Sequence, residues 1–187
     1  MKKALLLFVA FLLPVLIYLF LKSFGKNEFD VPVLFADSVS APASCSDIQY
    51  KTPYQVSDSI VRTFQWDSTS AFTVIVFGSY SKEEQHERSI QVARLMTEFK
   101  DEALGIVQIS GENMERVYGE EKIVVRHVMM RDSSVSRMRN CVFFLNNTQD
   151  AVVLDKERRI RGQYTLTKRE DADRLIMEEL NILFKRY

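Results

Sequence analysis

Between Phe72 and Phe99 the sequence shows a buried strand, a short polar turn and an amphipathic helix in direct succession. Every residue of Phe72–Phe77 is apolar or β-branched, which is typical of a strand covered on both faces. The helix carries apolar residues at spacings of three and four, namely Val92, Leu95, Met96 and Phe99. A second apolar strand at Leu104–Ser110 completes a βαβ unit with an expected right-handed crossover. The sequence therefore predicts an α/β protein with helices on both faces of a sheet.

The C-terminal part predicts a β-hairpin followed by a last helix. Two strands, Ala151–Asp155 and Arg159–Tyr164, flank the polar turn Lys156–Arg158. Thr167 and Glu170 then have the spacing of a capping box at the start of the helix. The order of strand, helix, strand, hairpin and helix is that of a thioredoxin-like fold.

Four other segments have weaker patterns. Tyr54–Asp67 is expected to form an early hairpin or edge strand, with Trp66 packing against the domain. A short helix is expected over Gly111–Gly119 and a strand within Lys122–Arg131. Asp132 and the two serines after it are candidate N-caps for a brief helix.

The N-terminal segment predicts a membrane anchor. The run Ala4–Leu21 holds no charged residue, and at 1.5 Å per residue it covers roughly 27 Å, close to the apolar thickness of a bilayer. A cleaved signal peptide is the competing interpretation, but the run ends in bulky residues at Tyr18–Lys22 rather than in a small-residue cleavage site. Cys45 lies far beyond the run and lacks the preceding leucine of a lipoprotein signal. The anchor is therefore expected to be retained.

Three regions follow from these patterns: an anchor at 1–22, an extended linker at 23–50 and a thioredoxin-like domain at 51–187. Lys2 and Lys3 nearly balance Lys22 and Lys26 under the positive-inside rule, but a short basic N-terminal tail favours the cytoplasmic side. The domain is accordingly expected on the periplasmic side of the cytoplasmic (inner) membrane.

Charge excludes one class of partner. The chain has 25 Lys and Arg against 25 Asp and Glu, and no run of basic residues. The field that attracts nucleic acid to a protein surface is therefore missing. Nucleic acid is not an expected partner.

The chain resembles the Sco family of membrane-anchored thioredoxin-like proteins, which handle copper in cytochrome c oxidase assembly. The resemblance covers the anchor format and residues 51–187, and it is strongest over Val152–Tyr164, where the family has a strand, a turn and an Ile-Arg-Gly-x-Tyr ending. Lys51–Val56 is similar to the family's entry segment, and Asp171–Ile176 to its last helix. The resemblance implies a central mixed sheet flanked by helices, behind a single N-terminal transmembrane helix.

The resemblance also implies where copper ligands would lie. Family members bind copper through a Cys-x-x-x-Cys at the first strand-to-helix turn and a His before the late hairpin. Ungapped placement puts these ligands at Tyr80, Glu84 and Asn147, which lack the soft donors that Cu(I) prefers. Ser81 and Glu84 instead have the spacing of a capping box. The site is thus interpreted as degenerate, with no catalytic, cofactor-binding or metal-binding residue.

A relocated site is the alternative. A loose cluster of soft donors follows in the second half of the chain, formed by His127, Met129, Met130, Met138 and Cys141. Methionine at strand or helix spacing usually fills the core, and Cys141 precedes an apolar run, so a structural role is favoured for both. Cys45 and Cys141 form no disulfide framework, although they could bridge in an oxidising compartment. His86, in a highly charged first turn, is expected on a solvated face.

Two functional hypotheses follow. The favoured one is a non-enzymatic, membrane-anchored accessory or scaffold protein without copper or redox ligands, with a protein partner in envelope or cytochrome c oxidase assembly. The alternative is a copper-binding or thiol-redox protein with a relocated site around Cys141, His127 and the neighbouring methionines.

Overall fold

The computed structural model describes residues 12–19, 30–64, 67–114 and 125–185. The chain divides into two compact units, Met1–Asp30 and Val31–Tyr187. In the first unit, residues 12–19 are helical, and the rest of the predicted anchor lies outside the described residues. None of the helices in the described part is both long enough and apolar enough to span a membrane.

A five-stranded mixed sheet forms the centre of the second unit. Its strands are β1 (Phe72–Phe77), β2 (Leu104–Gly111), β3 (Arg126–Met130), β4 (Ala151–Asp155) and β5 (Ile160–Tyr164). They lie in the order β3-β2-β1-β4-β5, with β1, β2 and β3 parallel and with β4 antiparallel to both β1 and β5. With helices on both faces, this is the predicted thioredoxin-like α/β fold.

The helices of the second unit are short except for one. They are α1 (Asp58–Thr63), α2 (Lys82–Glu98), α3 (Asp132–Arg137), α4 (Arg169–Asp173) and α5 (Leu180–Leu183). A π-helical turn, Met138–Val142, follows α3, and a π-helical segment, Arg174–Glu179, joins α4 to α5. The crossover helix, the hairpin and the last helix are thus confirmed.

The early strand or hairpin predicted over Tyr54–Asp67 is wrong, because α1 occupies that position. Val61 and Phe64 are three residues apart, so on a helix both side chains reach the core, where they are buried. Trp66 lies outside the described residues. So does most of the helix expected over Gly111–Gly119, of which the described part is the end of β2 and a turn.

Each face of the sheet carries its own apolar core. Ile75 and Phe77 of β1 point to one side and pack in a cluster with Phe143 and Leu154. Val74 and Val76 point to the other side, where α2 and the C-terminal helical segments cover them. The burial of β1 on both faces is therefore confirmed. Because β1 is held from both sides, the position of the loop that follows it, between β1 and α2, is fixed as well.

The segment expected to be an extended linker packs against the domain from Val31 onward. The backbone N–H of Leu34 donates to the carbonyl of Ile160 at 2.8 Å, and that of Tyr54 donates to the carbonyl of Phe35 at 3.1 Å. Leu34, Phe35, Val39 and Tyr50 all contact the first core cluster. Residues 31–56 are called the arm below. The arm covers one face of the sheet because its scattered apolar residues are buried or partly buried against that core.

The two predicted capping boxes have different outcomes. Ser81 Oγ accepts the N–H of Glu84 at 3.4 Å at the start of α2, but the Glu84 carboxylate turns towards Ser79 and Arg88 instead of returning to Ser81. At the start of α4 the N-cap is Lys168, and no side chain caps the helix. Only half of the first box forms, and the second is wrong.

Candidate functional site

A cavity of about 350 Å³ opens where β1 ends and α2 begins. The loop is held in place by Gly78, whose N–H donates to the carbonyl of Ile109 at 2.8 Å, and by Phe77, whose N–H donates to the carbonyl of Asp150 at 2.8 Å. The lining is mostly polar: Gly78, Ser79, Tyr80, Glu84, Arg88, Met114, Arg139, Asn147, Thr148, Thr165, Thr167 and Lys168. We call it the β1–α2 cavity.

The three positions that the family resemblance assigned to copper ligands all line the β1–α2 cavity. Tyr80 and Glu84 lie at its α2 side, and Asn147 lies in the loop before β4. Residues 67 positions apart in sequence are thus brought to one place by the antiparallel pairing of β1 with β4. The cavity is therefore the candidate functional site of this fold.

A buried ion pair lies beside the cavity. Arg88 Nε donates to Asp150 Oδ2 at 2.8 Å, and only 6% and 1% of the two side chains are exposed. Arg88 also donates to the Phe77 carbonyl at 3.0 Å and to Glu84 Oε2 at 3.3 Å. The second Asp150 oxygen accepts the N–H of Leu166 at 2.7 Å. The Arg88 guanidinium therefore connects α2 by hydrogen bonds to the end of β1 and to the residue before β4.

Burial and hydrogen bonding have opposite effects on the Asp150 carboxyl. Burial raises the pKa of this carboxyl above its ordinary value, and the Arg88 guanidinium and the donated N–H groups oppose that effect. A buried charge pair of this kind costs desolvation energy and is kept favourable only by complete hydrogen bonding. Here both carboxylate oxygens have partners.

Two further cations line the cavity. Arg139 lies in the π-helical turn after α3, a type of irregularity that often marks functional sites. Its guanidinium donates to the carbonyl of Gln149 at 2.7 Å and lies 5.7 Å from the centre of the Phe77 ring. Burial, and then repulsion by Arg88, lower the pKa of Arg139. Lys168 is exposed and also lines the cavity.

The donor set of the cavity does not fit copper. Cu(I) is held by thiolate, thioether and imidazole groups. The cavity lining offers hydroxyl, carboxylate, amide and cationic groups, and its one sulfur, that of Met114, already accepts the N–H of Gly111 at 3.2 Å. The groups that line the cavity, including Tyr80, Glu84 and Asn147, thus offer oxygen and nitrogen donors.

The residues proposed for a relocated site do not converge. His127 and Met129 are exposed on one side of β3, while Val128 and Met130 of the same strand pack on the first core cluster. Met138 is buried in that cluster. A strand alternates its side chains between faces, so a histidine and the methionine three positions later point in opposite directions.

Cys141 is paired with Cys45, in contrast to the favoured expectation of a buried free thiol. Their Cα atoms are 5.5 Å apart across a sequence separation of 96. The two half-cystines are 0% and 3% exposed. Because the arm folds back on the domain, it delivers Cys45 to the turn after α3. Thiol exchange at this bond would require access that the packed structure does not give.

His86 lies on the exposed side of α2, as predicted. Sequence reasoning missed Arg88, Arg139, Asp150 and Lys168. A signal existed for Arg88, because it precedes Val92 by four residues and so continues the apolar stripe of α2. A charged residue on such a stripe needs a buried partner, and Asp150 is that partner.

No family model matches the chain, and no curated protein matches it in sequence. Solved structures share its backbone course at low identity. Arabidopsis thaliana ScoI with copper bound is 14% identical with a TM-score of 0.45, covering 64% of this chain and 88% of that one. A SCO1/SenC family lipoprotein from Bacillus anthracis is 9% identical with a TM-score of 0.44, covering 62% and 83%.

The thioredoxin domain of a thiol-disulfide oxidoreductase from Bacteroides vulgatus is 14% identical with a TM-score of 0.45, covering 60% of this chain and 81% of that domain. The solved structures similar to this chain thus include Sco/SenC proteins and thiol-disulfide oxidoreductases, and the likeness is one of fold.

Proposed function

We propose that this protein is a membrane-anchored, extracytoplasmic accessory or scaffold protein in envelope or cytochrome c oxidase assembly, with a Sco-like thioredoxin fold that carries no copper and exchanges no thiols. The observation that carries the proposal is the β1–α2 cavity. In the place where the resemblance puts copper ligands, the described residues that line it include neither cysteine nor histidine.

The disulfide supports the extracytoplasmic part of the proposal. Disulfides persist in oxidising compartments such as the periplasm and are rare in the cytosol. Cys45 and Cys141 are joined and buried, so they serve to hold the arm rather than to react. The anchor itself rests on the uncharged run Ala4–Leu21 and on the basic residues before it.

Copper titration of the oxidised full-length chain in detergent tests the proposal. We expect no stoichiometric Cu(I) binding in competition with a chromogenic chelator, because the cavity has no free soft donor pair. The Cys141→Ser variant should give the same result. Near-equimolar binding by the native chain that is lost in Cys141→Ser would overturn the proposal and favour the relocated site.

A gain-of-function variant tests whether the cavity is the place of the lost ligands. The triple variant Tyr80→Cys, Glu84→Cys, Asn147→His is expected to bind about one Cu(I), because it restores two thiolates and an imidazole around one cavity. The matched control is the triple variant Tyr80→Cys, Glu87→Cys, Asn147→His, because Glu87 is exposed and does not line the cavity. Equal binding by both triple variants would contradict the placement.

Co-purification identifies the partner class. The detergent-extracted full-length chain, cross-linked in its native membrane, is expected to carry oxidase or envelope-assembly subunits. Recovery of soluble cytoplasmic proteins alone would contradict both the location and the role.

A further inference from the structure

We propose that the β1–α2 cavity binds a small oxyanionic ligand, one whose phosphate or carboxylate group is held between Arg139 and Lys168. The inference rests on the proposed function, because it assigns a ligand to the same site once copper has been set aside. Its first support is the set of charged side chains that line the cavity.

Two of the three cations that line the cavity have no direct contact with a carboxylate among the described residues. Its lining holds Arg88, Arg139 and Lys168 against Glu84. Arg88 forms ion pairs with Asp150 at 2.8 Å and with Glu84 at 3.3 Å. Within the described residues, neither Arg139 nor Lys168 has a carboxylate partner within ion-pair distance. Arg139 and Lys168 therefore line the cavity without a carboxylate in direct contact, while Glu84 and Asp150 act on Arg139 from a greater distance.

The side chain of Arg139 is held at the cavity by packing and by a hydrogen bond. Its side chain is half-buried, its guanidinium lies near the Phe77 ring, and it donates one hydrogen bond to the Gln149 carbonyl. A guanidinium has five N–H donors, so several remain for a ligand. Burial next to Arg88 also makes its charge costly, and this cost supports the proposal because an oxyanion would relieve it.

Neutral hydrogen-bonding groups complete the site. Hydroxyl groups of Thr165 and Thr167 and the amide of Asn147 line the same cavity as the two cations. Such groups can bond the remaining oxygens of a phosphate or a carboxylate without adding charge. The volume of about 350 Å³ lies at the small end of ligand cavities, so it fits a small molecule or a chain end.

Nuclear magnetic resonance titration of the isotope-labelled full-length chain in detergent tests the inference. Sodium phosphate and sodium acetate are the two probes, and sodium chloride keeps the ionic strength constant. We expect saturable shifts of the backbone amides of Tyr80, Thr148 and Thr167 at millimolar probe. Tighter binding of phosphate assigns a phosphorylated ligand, and tighter binding of acetate assigns a carboxylate; either result supports the proposal.

Paired variants separate the site from general surface charge. Lys168→Gln is expected to weaken probe binding by at least about fivefold, since it removes a charged hydrogen-bond donor. Arg169→Gln is the matched control, because Arg169 is the next residue, exposed, and paired with Asp173 outside the cavity. Arg139→Gln should weaken binding further, while Arg139→Lys should keep part of it. If Arg139→Gln fails to fold, Lys168→Gln against Arg169→Gln decides.

Three results would overturn the inference: no saturable shift with either probe, the same shifts with chloride alone, or equal loss in Lys168→Gln and Arg169→Gln. The copper titration of the same sample keeps the two proposals apart. Absence of oxyanion binding without copper binding removes only this inference, whereas stoichiometric copper binding removes the proposed function on which it rests.

Discussion

Replacement of both cysteines by serine is expected to lower the free energy of unfolding by about 2–5 kcal/mol. The bond between Cys45 and Cys141 closes a loop with a sequence separation of 96, so it removes many conformations from the unfolded chain. Closing a loop of that length corresponds to about 4–5 kcal/mol in the chain-entropy treatment. Urea unfolding of the full-length chain in detergent, with and without the two substitutions, measures the loss.

The single variants provide the control. Cys45→Ser, Cys141→Ser and the double variant should lose nearly the same free energy, because any one substitution already removes the whole cross-link. Reductant should destabilise the native chain and leave the double variant unchanged. Because both half-cystines are buried, reduction should also be slow without urea. Additive losses in the single variants would contradict the cross-link and indicate two independent buried side chains.

The sheet and its main helices were predictable because their signals are local. In β1 every residue is apolar or β-branched, and the structure buries Val74, Ile75, Val76 and Phe77 completely. The turn of the late hairpin is set by polar residues, and Arg158 takes the positive φ that such a turn requires. Each of these elements depends on residues close in sequence. The local sequence pattern was therefore enough to predict these elements.

The arm was not predictable in the same way. Its apolar residues follow no period, so Leu34, Phe35 and Tyr50 gave no strand or helix signal, and the segment had the composition of a tether. It is ordered by contacts with β5, α1 and the loop before β4, all of which come later in the chain. The pairing of Cys45 with Cys141 depends on that return, which only the tertiary structure supplies.

The candidate site was predictable in position but not in chemistry. Tyr80, Glu84 and Asn147 could be placed by counting from neighbouring strands, and they do share a cavity. Arg88 lies among the charged residues Glu83, Glu87 and Lys82, which obscure its place on the apolar stripe of α2. Its burial depends on Asp150, 62 residues away, and no local pattern links the two.

The buried ion pair gives the second large expected effect. Asp150→Asn and Arg88→Met are each expected to lower the free energy of unfolding by about 3–5 kcal/mol, because each leaves an uncompensated group in the interior. Asparagine keeps the oxygen that accepts the N–H of Leu166, so the variant isolates the loss of charge. Urea unfolding of the full-length chain measures both variants and the double variant.

The double variant should lose less than the sum of the single losses by about 1–3 kcal/mol, since the second substitution removes a charge that the first left unpaired. The pair of Arg94 and Asp173, with side chains 36% and 39% exposed, is the matched control, because Arg94 lies on the same helix as Arg88. Asp173→Asn is expected to cost less than about 1 kcal/mol, because solvent screens an exposed pair. If Asp150→Asn costs no more than Asp173→Asn, the stability of the fold does not depend on the ion pair between Arg88 and Asp150, and Glu84 and the Phe77 carbonyl suffice to hold the Arg88 guanidinium.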